Sequence, residues 1–442
     1  MTRRAKREPE VAGITGITHD GKGIADIPGK KVFVDGALPG ERVRLLRMRR
    51  RRNFDEARLE EVLEASPDRV EPRCGVYGIC GGCSLQHLAA ERQAEAKQRV
   101  LLDNLERIGR VVPARVLEPL RGPAWNYRRR ARLGVRYVAG KGRVLVGFRE
   151  RYKPYVTDTS RCEVLVEPVG SLIGELAALI FRLSVREQIP QIEVSAGDNV
   201  VALVLRVLDR PSPEDEELLR EFAAAHGIRF FLQTGGAETV APLADADGGL
   251  PESLRYELPE FDLTLRFMPL DFIQVNGALN RALVSRAVEL LAPQDGDRVL
   301  DLFCGLGNFS LALARRAREV LGIEGSEDLV ARAEANAASN GLDNARFLQR
   351  DLSGIDTTEA WLRTDWDRVL LDPARPGADA LAAHFAASPP ERLVYVSCHP
   401  GTLARDAGIL SGGGRLRLSA AGVLDMFPHT GHMESIAVFD RI

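Results

Sequence analysis

Over the first sixty or so positions, apolar residues alternate with polar ones in short runs separated by glycine turns: Val11 to Ile14, Gly21 to Ala25, Lys31 to Val34, Arg42 to Leu46 and Ala57 to Leu63. Short strands without a helical period predict a small β-barrel, and Pro67 and Pro72 mark its exit. From Leu88 to Ile108 the pattern changes to helical spacing, predicting one helix stopped by Gly109. The stretch that follows mixes strand-like runs (Arg132 to Val138, Val144 to Phe148, Ile192 to Ser195, Val200 to Val207) with a helix near Glu214 to His226, an α+β pattern. From about Phe261 the rhythm becomes strand, turn, helix, repeated, which predicts a parallel sheet flanked by helices. Its strands are expected at Val299 to Phe303, Glu319 to Ile323, Ala345 to Leu348, Arg368 to Leu371 and Leu393 to Val396. Two apolar runs between Leu416 and Ile442, around a Pro428-His429-Thr430-Gly431 turn, should add an antiparallel edge. The expected division is 1–67, 68–260 and 261–442, consistent with 442 residues being too many for one core.

Composition changes this picture little and charge changes it more. A hydrophobic share of 45% with 28% charged residues describes a soluble globular chain. No apolar run approaches a membrane span, and the opening Met1-Thr2-Arg3-Arg4 offers no signal peptide, so a cytoplasmic protein is expected. The net charge of -2 hides local asymmetry: fifteen basic residues face nine acidic ones in the first sixty positions, including the run Arg49-Arg50-Arg51-Arg52. From Arg121 to Arg161 there are twelve basic residues against two acidic, interleaved with Trp125, Tyr127, Tyr137, Phe148, Tyr152 and Tyr155. A charge run alone is often a solvated face. Two runs, one with aromatics able to stack on bases, point to single-stranded or looped RNA as the partner.

In VLDLFCGLGNFSLALA an apolar strand meets a glycine turn and an amphipathic helix, the arrangement by which open α/β sheets bind nucleotides. Gly305 and Gly307 fit a dinucleotide fingerprint, but Ser310 stands where its third glycine belongs, and a dehydrogenase remains open on these residues alone. Asp301, Glu324, Asp351 and Asp372 end successive strands. Any one of them reads equally well as a helix N-cap. Four in order match an S-adenosylmethionine pocket, whose ribose, adenine amine and cationic end need acceptors along the carboxyl edge of the sheet.

Cys398 ends the fifth strand in YVSCHP. A pyrimidine C5 is a poor nucleophile until a group adds to C6, and a thiolate suits that addition. The strand-to-helix turn should lower the thiol pKa through the helix N-terminus. The methylated C5 must then lose a proton, and Glu434, flanked by His432 and Met433 in an apolar hairpin, is the candidate base. A buried inert cysteine and a structural ion pair are the competing readings.

The series DFIQVN, DLFCGLGNF, LLDPAR, YVSC followed by Pro400, TLARD and LDMFPHTGHMES resembles the signatures of the RNA 5-methyluridine methyltransferase family (TrmA/RumA type). HDGKGIAD followed by VFVDGALPGERV resembles a TRAM domain, an OB-like barrel of RNA-modifying enzymes. Together with the cysteine set, these motifs point to the subgroup that methylates a uridine in 23S rRNA. The resemblance implies a Rossmann-like methyltransferase domain, an N-terminal TRAM barrel and a central α+β domain carrying an iron-sulfur cluster. It also implies S-adenosyl-L-methionine contacts from Gln274, Phe303, Asn308, Glu324, Asp351 and Asp372, with Cys398 as nucleophile and Glu434 as base. His399 departs from the family's usual asparagine.

Cys74, Cys80 and Cys83 form C-x5-C-x2-C in a glycine-rich loop, with Cys162 far downstream. Spacing leaves zinc and a [4Fe-4S] cluster equally open. The resemblance implies [4Fe-4S], in folding or RNA positioning, since methyl transfer moves no electron. No membrane and no obligate protein partner are expected. A cytosine C5 methyltransferase and a non-catalytic RNA-binding assembly factor are the rival functions, and the pairing of Cys398 with Glu434 speaks against the second.

Overall fold

The computed structural model describes residues 8–244, 253–354 and 359–442; the opening Met1-Thr2-Arg3-Arg4 lies outside them. Strands β1 (Glu10–Ile17), β2 (Gly23–Ile27), β3 (Lys30–Asp35), β4 (Arg42–Arg50) and β5 (Phe54–Glu64) close a barrel in the order β1-β2-β3-β5-β4. Alternation sets its two faces. On β4, Val43 and Leu45 point into the core beside Ile14, Ala25 and Val34, and Arg42 and Arg44 point out. The barrel is tied to the rest of the chain by Arg69, which reaches buried Glu41 at 2.5 Å, and by Arg151, which reaches Asp35 at 2.7 Å.

Helix α1 (Ala90–Asn104) runs into a π-helical turn (Leu105–Gly109), ended by Arg110 in the left-handed region at φ 55°. Its apolar stripe, Val100, Leu101 and Leu105, packs on Leu403, Ala404 and Ala407 of a later helix. Gly109 allows this approach, because a Cβ there would lie 2.4 Å from the Ala404 carbonyl oxygen. After β6 (Arg115–Val116) come β7 (Arg130–Val138), β8 (Arg143–Gly147), α2 (Val169–Arg182), β9 (Gln191–Ala196), β10 (Val201–Arg206), α3 (Pro213–His226), β11 (Ile228–Gln233) and β12 (Val240–Pro242). They form a six-stranded sheet, β12-β11-β10-β9-β7-β8. The signals that predict α3 are present as structure: a Ser212/Asp215 capping box, Pro213 in the first turn and Gly227 at φ 63°. Helix α2 has no counterpart in the sequence reading. Half of its residues are buried, and Pro168 caps it without a side-chain bond, so it carries no start signal.

A hairpin, β13 (Leu254–Leu258) and β14 (Leu263–Phe267), leads to α4 (Gly277–Leu291), β15 (Arg298–Leu302), α5 (Ser310–Ala314), β16 (Glu319–Glu324), α6 (Glu327–Ser339), β17 (Ala345–Gln349), β18 (Arg368–Leu371), α7 (Asp379–Ala387), β19 (Arg392–Ser397), α8 (Pro400–Gly412), β20 (Leu416–Leu424) and β21 (Glu434–Arg441). The sheet order is β17-β16-β15-β18-β19-β21-β20-β6. Two expectations are corrected. The last hairpin is antiparallel as expected, but it is not the outermost edge: β21 inserts between β19 and β20, and the two-residue β6 pairs in parallel outside β20 because the chain after α1 passes along that side. The helix after the glycine turn is not amphipathic either. All five residues of α5 are buried. Strand order reverses between β15 and β18, which opens a crevice at the carboxyl ends of the strands. Among the described residues no helix is long and apolar enough to cross a membrane.

Candidate active site

The crevice floor is acidic. Asp301 on β15 is fully buried; one of its oxygens accepts from Ser310 at 2.5 Å, and the other has no hydrogen-bond partner. The serine in place of a third glycine thus holds this carboxyl. Burial raises Asp301 to about 7, with nearby Asp372 and Glu324 adding to the rise, and burial raises Asp372 to about 7 as well. Glu324 is fixed by three backbone amides, those of Gly305 (3.1 Å), Gly325 (2.8 Å) and Ser326 (3.0 Å). Phe303 takes φ 66° as the chain leaves β15, and Gly305 at φ 57° faces open space, so a ligand can reach its backbone.

The remaining candidates are spread more widely. Asn308 turns away from the crevice floor: its amide exchanges bonds with Asn280 at 2.9 and 3.0 Å and accepts from the Tyr256 hydroxyl at 2.9 Å. Gln274 is half-buried in the loop between β14 and α4, where Arg129 N donates to Val275 O at 2.9 Å. Asp351 is exposed and held low by Ser353, whose amide donates to it at 2.8 Å.

Cys398 follows β19 directly. The last pair of β19 and β21 is Ser397 with Ser435, and continuing that register sets Cys398 opposite Glu434, which on its other side pairs with Leu424 of β20. Glu434 is 3% exposed, and burial followed by Asp372 raises its pKa well above the carboxylate range. The Cys398 thiol is pushed up to about 11, first by burial, then by Glu434 and Asp372, with Arg375 opposing. The expected lowering by the helix terminus is therefore overturned. Two neighbouring carboxyls and desolvation outweigh the dipole, and the residue capping α8 is His399, which accepts from Thr402 N at 3.2 Å.

The approach to Glu434 is braced from three directions. Lys97 of α1 pairs with Asp425 at 2.5 Å in the interior and donates to Phe427 O at 3.0 Å. Gln93 Oε1 accepts from His429 N at 2.6 Å, and Ser84 and Leu85 amides donate to His429 O at 2.8 and 2.9 Å. Trp125 stacks on His429 at 3.9 Å, and the buried Tyr127 donates its hydroxyl to Pro428 O at 2.9 Å. These two aromatics brace the loop, contrary to the expectation that they stack on RNA; of the six in that stretch, Tyr152 and Tyr155 are the strongly exposed ones.

Residues 252–442 match the family described as tRNA (Uracil-5-)-methyltransferase, and residues 11–45 match the TRAM domain. The chain is 51% identical to a 23S rRNA (uracil(1939)-C(5))-methyltransferase RlmD of Alkalilimnicola ehrlichii, covering 99% of this chain and 98% of that one. It is 49% identical to the RlmD of Methylococcus capsulatus, with both chains covered in full.

The chain belongs to the uracil-5-methyltransferase family.

The fold agrees. A Pyrococcus abyssi tRNA (uracil-54, C5)-methyltransferase solved with S-adenosyl-L-homocysteine superposes with a TM-score of 0.74 at 24% identity, over 97% of this chain and 99% of that one. Within this methyltransferase, Cys74, Cys80, Cys83 and Cys162 line one cavity together with Tyr77, Phe148 and Leu133. All four are free thiols. Burial raises Cys83 to about 12, and its three partners add to the rise. Among the described residues, however, no group of three or more His, Cys, Asp or Glu side chains is arranged to hold a metal ion.

Asp406 escaped the sequence reading. Fully buried, it accepts from Tyr395 OH at 2.6 Å, Ala378 N at 2.8 Å and Arg405 Nε at 2.7 Å, binding β19, α8 and the loop after β18 together. The TLARD motif contains it, but only the fold shows what it joins.

Proposed function

We propose that this chain transfers a methyl group from S-adenosyl-L-methionine to C5 of a specific uridine in 23S rRNA, forming 5-methyluridine through a covalent bond between Cys398 Sγ and C6. The observation that carries the reading is a cysteine at the end of β19 opposite a buried carboxyl at the start of β21, in a chain about half identical to RlmD enzymes over nearly its whole length.

Cys398 loses its thiol proton to solvent, which leaves Glu434 free as a base, and Sγ adds to C6, leaving an electron pair delocalised onto C5. That pair takes the methyl group, and S-adenosyl-L-homocysteine departs. Glu434 then removes the C5 proton; the electrons of that bond restore the C5–C6 double bond as the C6–S bond breaks. Burial suits Glu434 to this step by making its carboxylate a stronger base. Asp301 and Asp372 supply negative charge for the cationic end of the methyl donor, Glu324 an acceptor for its two ribose hydroxyls, Phe303 an apolar face, Gln274 and Asp351 polar contacts at the rim. Asn308 acts by fixing the turn.

Cys74, Cys80, Cys83 and Cys162 are suited to hold a [4Fe-4S] cluster, which would tie the loop before α1 to the segment around Cys162. The chain divides functionally into a TRAM unit (1–67), a central unit (68–260) and the catalytic unit (261–442), and acts in the cytoplasm on ribosomal RNA. Nucleoside analysis of 23S rRNA from cells lacking the protein tests the function. One 5-methyluridine should vanish and return with the wild-type gene; loss of the nucleoside from tRNA alone would reassign the substrate.

A further inference from the structure

The β1–β2 loop of the barrel, His19-Asp20-Gly21, lies against both halves of the reaction centre. The His19 ring meets the His399 ring edge-on, with centroids 5.6 Å apart and planes at 64°. One residue later, Asp20 backbone covers Gly431 so closely that a Cβ there would stand 2.5 Å from the Asp20 carbonyl carbon. His399 is in turn the cap of α8, its Nδ1 accepting from Thr402 N at 3.2 Å, and its ring passes over Gly401, where a Cβ would lie 3.1 Å from His399 Cε1. Its backbone amide donates to Ser397 Oγ at 3.2 Å, so the residues on both sides of Cys398 are fixed through one turn.

We propose that the barrel is part of the catalytic apparatus: its loop clamps the nucleophile turn at His399 and the base loop at Gly431, and His19 and His399 are positioning residues that keep Cys398 opposite Glu434. Histidine is not a usual N-cap. It accepts at Nδ1 only as the neutral tautomer with its proton on Nε2, whereas asparagine accepts there at any pH. The charged and titratable groups facing His399 are His19 and Arg375; those facing the neighbouring His432 are Arg375, Lys97, Arg128 and His19. Burial and these cations hold both imidazoles below the ordinary histidine range. Acidification therefore protonates a cap that must be neutral, next to His19 and Arg375.

The inference rests on Cys398 being the nucleophile, and its test has one arm that needs no substrate. Full-length wild type, His399→Asn, His399→Ala and His19→Ala are compared by amide exchange of the peptide spanning 398–405 and by the rate of Cys398 alkylation with iodoacetamide, read by mass spectrometry. His399→Ala should speed exchange at Thr402 about tenfold, and His399→Asn should restore wild-type protection. In the activity arm, His399→Ala and His19→Ala should each lower kcat about tenfold with the RNA KM little changed, and His399→Asn should keep the wild-type kcat. Equal exchange and alkylation in all four proteins would overturn the clamp whatever the substrate. A His19→Ala variant that raises KM alone would make the loop an RNA contact instead. Failure of the wild type to methylate 23S rRNA, with the exchange arm as expected, would overturn the substrate reading and leave the clamp standing.

Discussion

Cys398 and Glu434 stand opposite one another where the antiparallel register of β19 and β21 is continued, and Glu434 raises the cost of ionising the Cys398 thiol. Cys398→Ala should therefore abolish methylation while adenosylmethionine affinity stays within about twofold, because the thiol acts on the base and not on the donor. Nucleoside analysis and calorimetry on the same preparation check both halves. Residual activity above a few per cent of wild type would exclude the covalent route.

Glu434→Gln should separate the two chemical steps. Addition and methyl transfer proceed, the C5 proton stays, and turnover falls about 10²–10⁴-fold. Denaturing gels should then show a protein–RNA adduct accumulating on unmodified substrate. A variant with neither adduct nor rate loss would assign proton removal to another group.

The acidic floor gives methyl-donor binding a pH dependence of known sign. Asp301 and Asp372 hold protons up to about 7 in the ligand-free protein, against an ordinary value near 3.8. Groups raised in this way favour the folded protein at low pH, and that contribution is lost as pH rises from about 4 through about 7. A sulfonium cation favours the ionised carboxylates. Binding should release protons, with affinity rising about tenfold per proton released for each pH unit below about 7 and levelling above. S-adenosyl-L-homocysteine, uncharged at sulfur, should respond less. Titration calorimetry in two buffers of different ionisation enthalpy measures the proton count; equal affinity for the donor at pH 6 and pH 8 would contradict the assignment.

How much of this was legible in the sequence follows from the range of each signal. Strands β15, β16, β18 and β19 announce themselves locally, by an apolar run that ends on a carboxylate, a glycine turn or Cys398. Helix α3 carries its start and stop in Ser212, Asp215 and Gly227. Helix α2 carries no side-chain cap at its start, and its polar stripe is thin, Ser171, Glu175 and Arg182, so it stays hidden. The direction of the Cys398 shift was misread for a different reason: it depends on Asp372 and Glu434, 26 residues before and 36 after, meeting at one sheet edge. Trp125 and Tyr127 were misassigned because an aromatic beside arginines looks the same in sequence whether its face meets a base or His429.

Replacing Cys83 by Ser should do more than remove a thiol. The next two residues, Ser84 and Leu85, donate to His429 O, and Ser84 Oγ accepts from Gly431 N at 2.9 Å, so disorder in the cysteine loop reaches the strand that begins at Glu434. Under the proposed cluster assignment the variant should lose bound iron and visible absorbance, and melt several degrees lower. Iron and zinc assays on wild-type protein purified without oxygen decide the group; stoichiometric zinc in a colourless protein would replace the cluster with a single-ion site.

RNA binding should draw on two arginine groups very differently. Arg49, Arg50 and Arg52 are exposed at the end of β4 and make no ion pair among the described residues, whereas Arg47, just before them, is held by Glu10 at 2.7 Å and Asp55 at 2.6 Å. In the second basic stretch Arg129 pairs with Asp198 at 2.6 Å and Arg130 donates to the carbonyls of Pro269 and Leu270. Those two fix the loop that carries Gln274, and they are not free to follow a phosphate backbone. Each alanine replacement at Arg49, Arg50 or Arg52 should therefore weaken RNA binding uniformly across sequences and reduce the salt slope by about 1, with the melting temperature unchanged. Arg130→Ala should lower the melting temperature and the adenosylmethionine affinity, and change the salt slope little. Filter binding at several salt concentrations, paired with thermal melts, separates the groups; a salt slope that falls equally for Arg50→Ala and Arg130→Ala would mean that the second stretch also contacts the phosphates.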